Sequence, residues 1–287
     1  MASLRDIRNR IAAVKNTRQI TNAMKMVAGS KLRRATESAT NARPYQQALS
    51  ATLRRVAQGA GDVEEPLLAS REVKKVVLVV VGTDRGLCGG FNATLGRRSE
   101  DWIRKTRSEG KEIEVWTYGK KLRDFFKSRG QAVAQSRTDL FSPTYAQESV
   151  ELGARLAQGF LAGEFDEAYI GFNQFKSTLT QVPTFSRILP LTLDLGGAEQ
   201  AGGIEYKYEP NGPEILSALL PMYLRALLLQ TFLENEAGEH ASRMQAMDNA
   251  TRNANDLIKN LTLDYNRGRQ AAITKELIEI VSGAEAL

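Results

Sequence analysis

One stretch of this 287-residue chain holds enough reactive residue types to suggest chemistry: Gly82-Thr83-Asp84-Arg85-Gly86-Leu87-Cys88-Gly89-Gly90. It follows a β-branched run and precedes a helical pattern, the place where doubly wound domains hold dinucleotide phosphates. A backbone cradle for phosphate needs G-x-G-x-x-G, or G-x-x-x-x-G-K followed by Ser or Thr, and neither spacing occurs in the chain. The stretch therefore reads as a tight strand-to-helix turn. Arg85 could lower the thiol pKa of Cys88, but a nucleophile also needs a base close by in space. The one histidine, His240, falls in the C-terminal helical pattern and is expected on that helix's surface rather than as a base or ligand. Glu234, Glu236 and Glu239, like Glu276, Glu279 and Glu285, sit on charge-rich helices, where solvated faces and i,i+4 pairs account for them. No acid/base pair, metal-ligand set or cofactor is implied.

The elements that position this turn alternate. Val76–Val81 is a β-branched run and Ile113–Tyr118 a second strand, with a helix expected over residues 92–107 between them. Helical segments near 119–129 and 145–161, then strands at Ala168–Phe172 and Val182–Leu189, complete a β-α order of the doubly wound kind. Flanking this middle section, 70–210, are two long helices over 1–58 and 211–287. Leu4, Ile7, Ile11 and Val14 step by three and four, and the apolar stripe skips before resuming at Ile20, Met24 and Val27. Such a skip resembles a heptad stutter. Small residues follow, among them Ala28, Gly29, Ala35 and Ala39. The second helix begins at Asn211-Gly212-Pro213 and keeps roughly coiled-coil spacing through Leu216, Leu220, Ala241, Met244, Thr251, Leu261, Leu277 and Ile280, with a kink expected near Pro221. At 1.5 Å per residue the two helices reach roughly 80 and 100 Å. Most of that length must pair, either helix with helix or with another chain.

Net charge is +6, and residues 1–60 carry 12 Lys or Arg against only Asp6 and Glu37, so the excess is concentrated there. A field of that kind suits an acidic protein surface, a nucleic acid or an anionic lipid. Residues 1–44 have no aromatic side chain for base stacking, which favours the acidic protein surface over a nucleic acid. One cysteine leaves no disulfide framework. The apolar window Ile215–Leu233 is interrupted by Pro221 and Arg225 and reads as a packed helix, not a transmembrane segment.

Three segments carry a resemblance. Ile7-Arg8-Asn9-Arg10-Ile11 through Asn16-Thr17-Arg18-Gln19-Ile20-Thr21-Asn22-Ala23-Met24-Lys25-Met26-Val27-Ala28, the central Asp84–Asn92, and Arg269–Ala284 resemble, in that order, the start, middle and end of the gamma subunit of bacterial F-type ATP synthase. The resemblance implies an α/β fold class: a long antiparallel coiled coil of the N- and C-terminal helices plus a central Rossmann-like α/β domain. It implies a central rotor stalk without an active site, coupling proton flow to ATP synthesis or hydrolysis. Its partners would be the alpha and beta subunits of the ring, the epsilon subunit and the ring of c subunits, peripherally on the cytoplasmic side of a bacterial plasma membrane. By motif position Met24, Lys25, Arg33, Arg34, Arg243, Gln270, Thr274 and Glu276 would meet beta-subunit loops or brace the helices. Cys88 would lie near an acidic region of beta, and Tyr206 and Tyr208 are candidate foot contacts. The rival readings are a basic coiled-coil nucleic-acid binder and a Rossmann-type nucleotide-binding enzyme.

Overall fold

The structure is a computed structural model and describes residues 3–59, 65–192, 208–209 and 211–285. In chain order its elements are α1 (Leu4–Gly59), β1 (Lys75–Val81), α2 (Phe91–Ser108), β2 (Glu112–Tyr118), α3 (Lys120–Ser128), β3 (Gln135–Arg137), a 3-10 turn at Ser142–Thr144, α4 (Tyr145–Leu161), β4 (Glu167–Phe175), β5 (Gln181–Leu189) and α5 (Gly212–Glu285). Two compact units result. Met1–Gly29 with Arg243–Leu287 forms one, and Ser30–Ser242 forms the other.

In the larger unit the five strands form one sheet in the order β3-β2-β1-β4-β5. The β1–β2, β1–β4 and β2–β3 pairs are parallel. β5 folds back antiparallel on β4. Side chains alternate across a strand, so the valine run of β1 feeds both faces. Val77, Val79 and Val81 point into a core shared with Leu152 and Leu156 of α4, Leu53 and Val56 of α1, and Leu216, Leu220, Leu224 and Phe232 of α5. Leu78 and Val80 point the other way, onto Leu95 and Ile103 of α2 and Leu122 and Phe126 of α3. A central parallel strand covered on both faces is apolar, as β1 is from Val76 to Val81. The window of α5 that resembled a membrane span is therefore built into this core through its leucines.

In the smaller unit the two helices run antiparallel. Thr251 Oγ1 donates to Thr21 Oγ1 at 2.8 Å, and Arg18 Nη1 donates to Asn255 Oδ1 at 3.3 Å. A side chain on Gly29 would meet Met244 at 3.5 Å and one on Gly268 would meet Leu4 at 3.0 Å, so walking down one helix walks up the other. The seam on α1 differs from the expected one. Ile20 and Val27 are exposed, while Thr21 and Ala28, seven residues apart, are buried; Leu32, Ala35 and Ala39, also buried, belong to the larger unit. Small side chains and a threonine pair admit close helix approach where the larger apolar residues do not fit. α5 also continues through Pro221, and α1 through Pro44.

Candidate functional site

The Gly-rich turn is a tightly determined loop. Gly82 N–H donates to Tyr118 O at 2.7 Å, and a Cβ on Gly82 would lie 2.5 Å from Leu122 Cδ1, so only glycine lets the turn pass that close. Asn92, in the first turn of α2, clamps the loop: its Oδ1 accepts from Thr83 N–H at 3.1 Å and its Nδ2 donates to Thr83 Oγ1 at 2.8 Å. Asp84 ties three strand ends together. One carboxylate oxygen accepts from Lys120 N–H at 2.7 Å, at the start of α3, and the other from Leu140 N–H at 2.8 Å, beyond β3. The motif's carboxylate thus serves the chain itself.

The crevice at the carboxyl ends of the strands, where doubly wound domains take their ligands, is filled by α5. Asn235 Nδ2 donates to Gly82 O at 3.0 Å in a buried bond. Ser242 Oγ donates to Cys88 O at 2.8 Å. Between them Gly238 brings the helix close enough that a Cβ there would sit 3.0 Å from the Phe91 ring. Lower down, Phe232 stacks on Tyr145 with centroids 5.5 Å apart and planes at 13°, and meets Tyr118 at 5.5 Å. Burial, then the charge of Glu148, pushes the Tyr118 hydroxyl up to about 12. Burial, then the negative charges of Glu236, Glu239 and Asp84, pushes Tyr145 higher still. Both phenols are thereby held in the protonated form. A cavity of about 300 Å³ beside the helix is lined by Lys31, Asp84, Arg85, Glu236, Glu239 and His240 among others. No group among the described residues has the makings of a metal site.

One expectation changes here. His240, expected on the helix surface, is 7% exposed, because the face of α5 that carries it is turned into the α/β unit; its Nε2 lies 3.8 Å from Glu236 Oε1. Cys88 is 3% exposed, its sulfur accepting from Asn92 Nδ2 at 3.3 Å, so the thiol sits behind the surface. The neighbouring Leu87 is the exposed large apolar residue of the motif, at 64%, and it adopts φ 62°, a left-handed conformation unusual for leucine. Burial of this kind arises from tertiary packing, which a helical period does not register.

The other candidate residues lie on the helices. Lys25 Nζ bonds Asp248 Oδ1 at 2.6 Å, bracing α1 to α5. That bond, more than any other influence, holds the Asp248 carboxyl below its ordinary range, with Arg252 adding to it. Met24 and Arg243 are half-buried, and Arg33 and Arg34 are exposed on α1. Gln270, Thr274 and Glu276 are exposed, and Thr274 Oγ1 donates to Gln270 O at 2.9 Å within its own helix. Around them Ile273, Leu277, Ile278, Ile280 and Val281 are exposed, as are Ile20, Met26 and Val27 on α1. The exposed apolar residues grouped within 273–281 suit a binding face. Tyr208 donates from its hydroxyl to Arg55 O at 3.1 Å; Tyr206 lies outside the described residues.

The family model described as ATP synthase matches residues 3–287. The ATP synthase gamma chain of Hyphomonas neptunium is 47% identical over 292 residues, covering 100% of both chains. That of Geobacter sp. (strain M21) is 44% identical over 287 residues, covering 100% of this chain and 99% of its own. Among solved structures, a chain of the Euglena gracilis mitochondrial ATP synthase (OSCP/F1/c-ring, rotational state 3) superposes with a TM-score of 0.65 at 20% identity, covering 99% of this chain and 94% of that one. A chain of the rotor of the same enzyme, in rotational state 1, gives 0.64 at 20% identity, covering 94% and 98%.

Proposed function

The chain belongs to the ATP synthase gamma-chain family, and from this premise we propose that it works as the central rotor stalk, turning inside a ring of alpha and beta subunits and coupling proton flow to ATP synthesis or hydrolysis. It is a non-catalytic component of the complex. The observation that carries the proposal is the filled crevice: the α/β unit spends its usual ligand site on gripping α5 through Asn235, Gly238 and Ser242, which makes it a mount for a helix. A mount of that kind transmits torque; a nucleotide enzyme needs the crevice empty.

On this reading the exposed apolar residues at 273–281 and at Ile20, Met26 and Val27 are bearing surface, enclosed by the ring. Met24, Arg33, Arg34, Arg243, Gln270, Thr274 and Glu276 face beta-subunit loops or support those that do, and Lys25 braces the helix pair. Leu87 presents an apolar contact from a rigid loop, with Cys88 holding its back. Tyr208, and Tyr206 with it, belongs to a foot that meets the c ring and the epsilon subunit. The protein works at the cytoplasmic face of a bacterial plasma membrane as a peripheral part of the complex. In domain terms, 1–58 and 211–287 are the shaft and 70–210 its mount.

Reassembly tests this directly. Mixed with alpha and beta subunits, the chain is expected to yield a stoichiometric complex with ATPase activity; failure to co-purify with the ring would refute the proposal. Calorimetry of the chain alone with ATP or NAD is expected to show no stoichiometric binding, and clear one-to-one binding would favour the enzyme reading instead.

A further inference from the structure

We infer that the cleft between the C-terminal turns of α2 and α3 is a binding site for a phosphate-bearing anion, a role separate from the coupling function. The cleft has a volume of about 390 Å³ and is lined by Glu100, Ile103, Arg104, Arg107, Arg129 and Gln131, with Gly130 at its rim. Three guanidinium groups and one carboxylate give it a lining charge of +2, which a phosphate dianion matches. The carboxylate is already engaged, since Arg129 Nε lies 3.1 Å from Glu100 Oε1. Arg129 is also held in place by stacking over the Phe125 ring, its guanidinium carbon 3.9 Å from the ring centroid. Stacking of this kind leaves the edge N–H groups of arginine free to donate. Among the described residues Arg104 reaches only Asp101, at 3.9 Å, with both side chains mostly exposed. Arg107 has no ion pair among the described residues.

Regional charge points the same way. Residues 97–131 carry 11 Lys or Arg against 6 Asp or Glu, a local +5, whereas the chain beyond residue 60 nets −4. This basic island therefore stands in an otherwise acidic background and is distinct from the basic first helix. Cations in a last helical turn also complement the helix dipole. That accounts for Lys105, Arg107 and Lys127, but not for Arg104 and Arg129 converging on the same cleft as Arg107. Arginine forks match phosphate oxygens two at a time, and such charge-assisted bonds are the strong ones. The nearby amides of Arg129, Gly130 and Gln131 already donate to Phe126 O and Lys127 O. Binding must then depend on the side chains.

Two sources offer this chemistry, a free phosphate compound and a lipid headgroup. The full chain is titrated with inorganic pyrophosphate by calorimetry, and in a second arm floated with vesicles of phosphatidylglycerol in phosphatidylcholine. The pair R104Q/R107Q, both exposed and so expected to fold as judged by circular dichroism, should weaken binding of whichever probe binds by about tenfold or more. The control pair R5Q/R10Q removes the same charge from exposed positions on α1 and should leave binding nearly unchanged. R129K keeps the charge but loses the fork and the stack, and should weaken binding as well. Pyrophosphate binding without flotation identifies a soluble phosphate ligand, and cleft-dependent flotation identifies a headgroup. Equal weakening by both double variants, or no binding of either probe by the parent chain, overturns the inference.

Discussion

Asp84 offers the sharpest test of the claim that the central motif holds structure and not ligand. Its two oxygens accept from Lys120 N–H at 2.7 Å and Leu140 N–H at 2.8 Å, joining the ends of β1, β2 and β3. A hydrogen bond to a charged acceptor is worth about 1.5–3 kcal/mol. Water can replace the exposed bond to Lys120 but replaces the half-buried bond to Leu140 poorly. Asp84→Ala is therefore expected to destabilise the α/β unit by about 2–4 kcal/mol. Asp84→Asn keeps one acceptor and turns an NH₂ group against the other amide, so it should cost roughly half as much. Trp102 and Trp116 both lie in this unit and make its urea unfolding visible by fluorescence. Hydrogen exchange at the Leu140 amide supplies a local readout, faster in both variants. A loss below about 0.5 kcal/mol for the alanine variant, the range of an unremarkable surface change, together with unchanged Leu140 exchange, would refute the reasoning.

Further outcomes follow from the same geometry. Burial pushes the Asp166 carboxyl up, but the Lys75 and Lys74 amides at 2.9 Å and Arg71 at 2.7 Å together outweigh burial and hold it below its ordinary value. A depressed carboxylate contributes stability above the unfolded pKa of about 3.9 and loses it as pH falls through the folded value; the gap between the parent and Asp166→Asn should be open at pH 7 and close below about pH 4, and a gap constant across that range would contradict this. Phe232→Ala removes a 1% exposed ring packed between Tyr145 and Tyr118 and should cost about 3–5 kcal/mol in the same fluorescence assay; a cost under about 1 kcal/mol would show that the crevice is loosely filled. Truncation after Gly268 removes the exposed apolar turns while leaving the α/β unit intact, so unfolding of that unit should be unchanged and proton-driven ATP synthesis by the complete membrane-bound complex should fall. An unchanged synthesis rate would remove the bearing role from those turns.

Much of this architecture was legible in the sequence because the relevant signals are local. The Val76–Val81 run reads as a buried strand without any partner in view, and β1 is Lys75–Val81. The Asn211-Gly212-Pro213 start of α5 carries its own cap, with Asn211 Oδ1 accepting from Glu214 N–H at 2.9 Å. What the sequence could not convey depends on contacts between distant segments. β3 is three polar residues whose strand state is set by pairing with Trp116–Tyr118, so no period reveals it. The seam of α1 runs through Thr21 and Ala28 and not Ile20 and Val27, since close approach selects small side chains over apolar ones. His240 has polar neighbours on its own helix, and only the packing of α5 into the α/β unit buries it. The same limit hid the central feature of the site: Asn235 and Ser242 are ordinary helix residues until Gly82 and Cys88 offer them carbonyl oxygens.

Rotation as a shaft is the behaviour expected of this chain. The direct measurement attaches a bead to the α/β unit of the chain in a surface-held complex with alpha and beta subunits and follows it during ATP hydrolysis. Sustained rotation in one direction, stopping when ATP is withdrawn, is the predicted result. ATP hydrolysis at an undiminished rate with the bead stationary would contradict it.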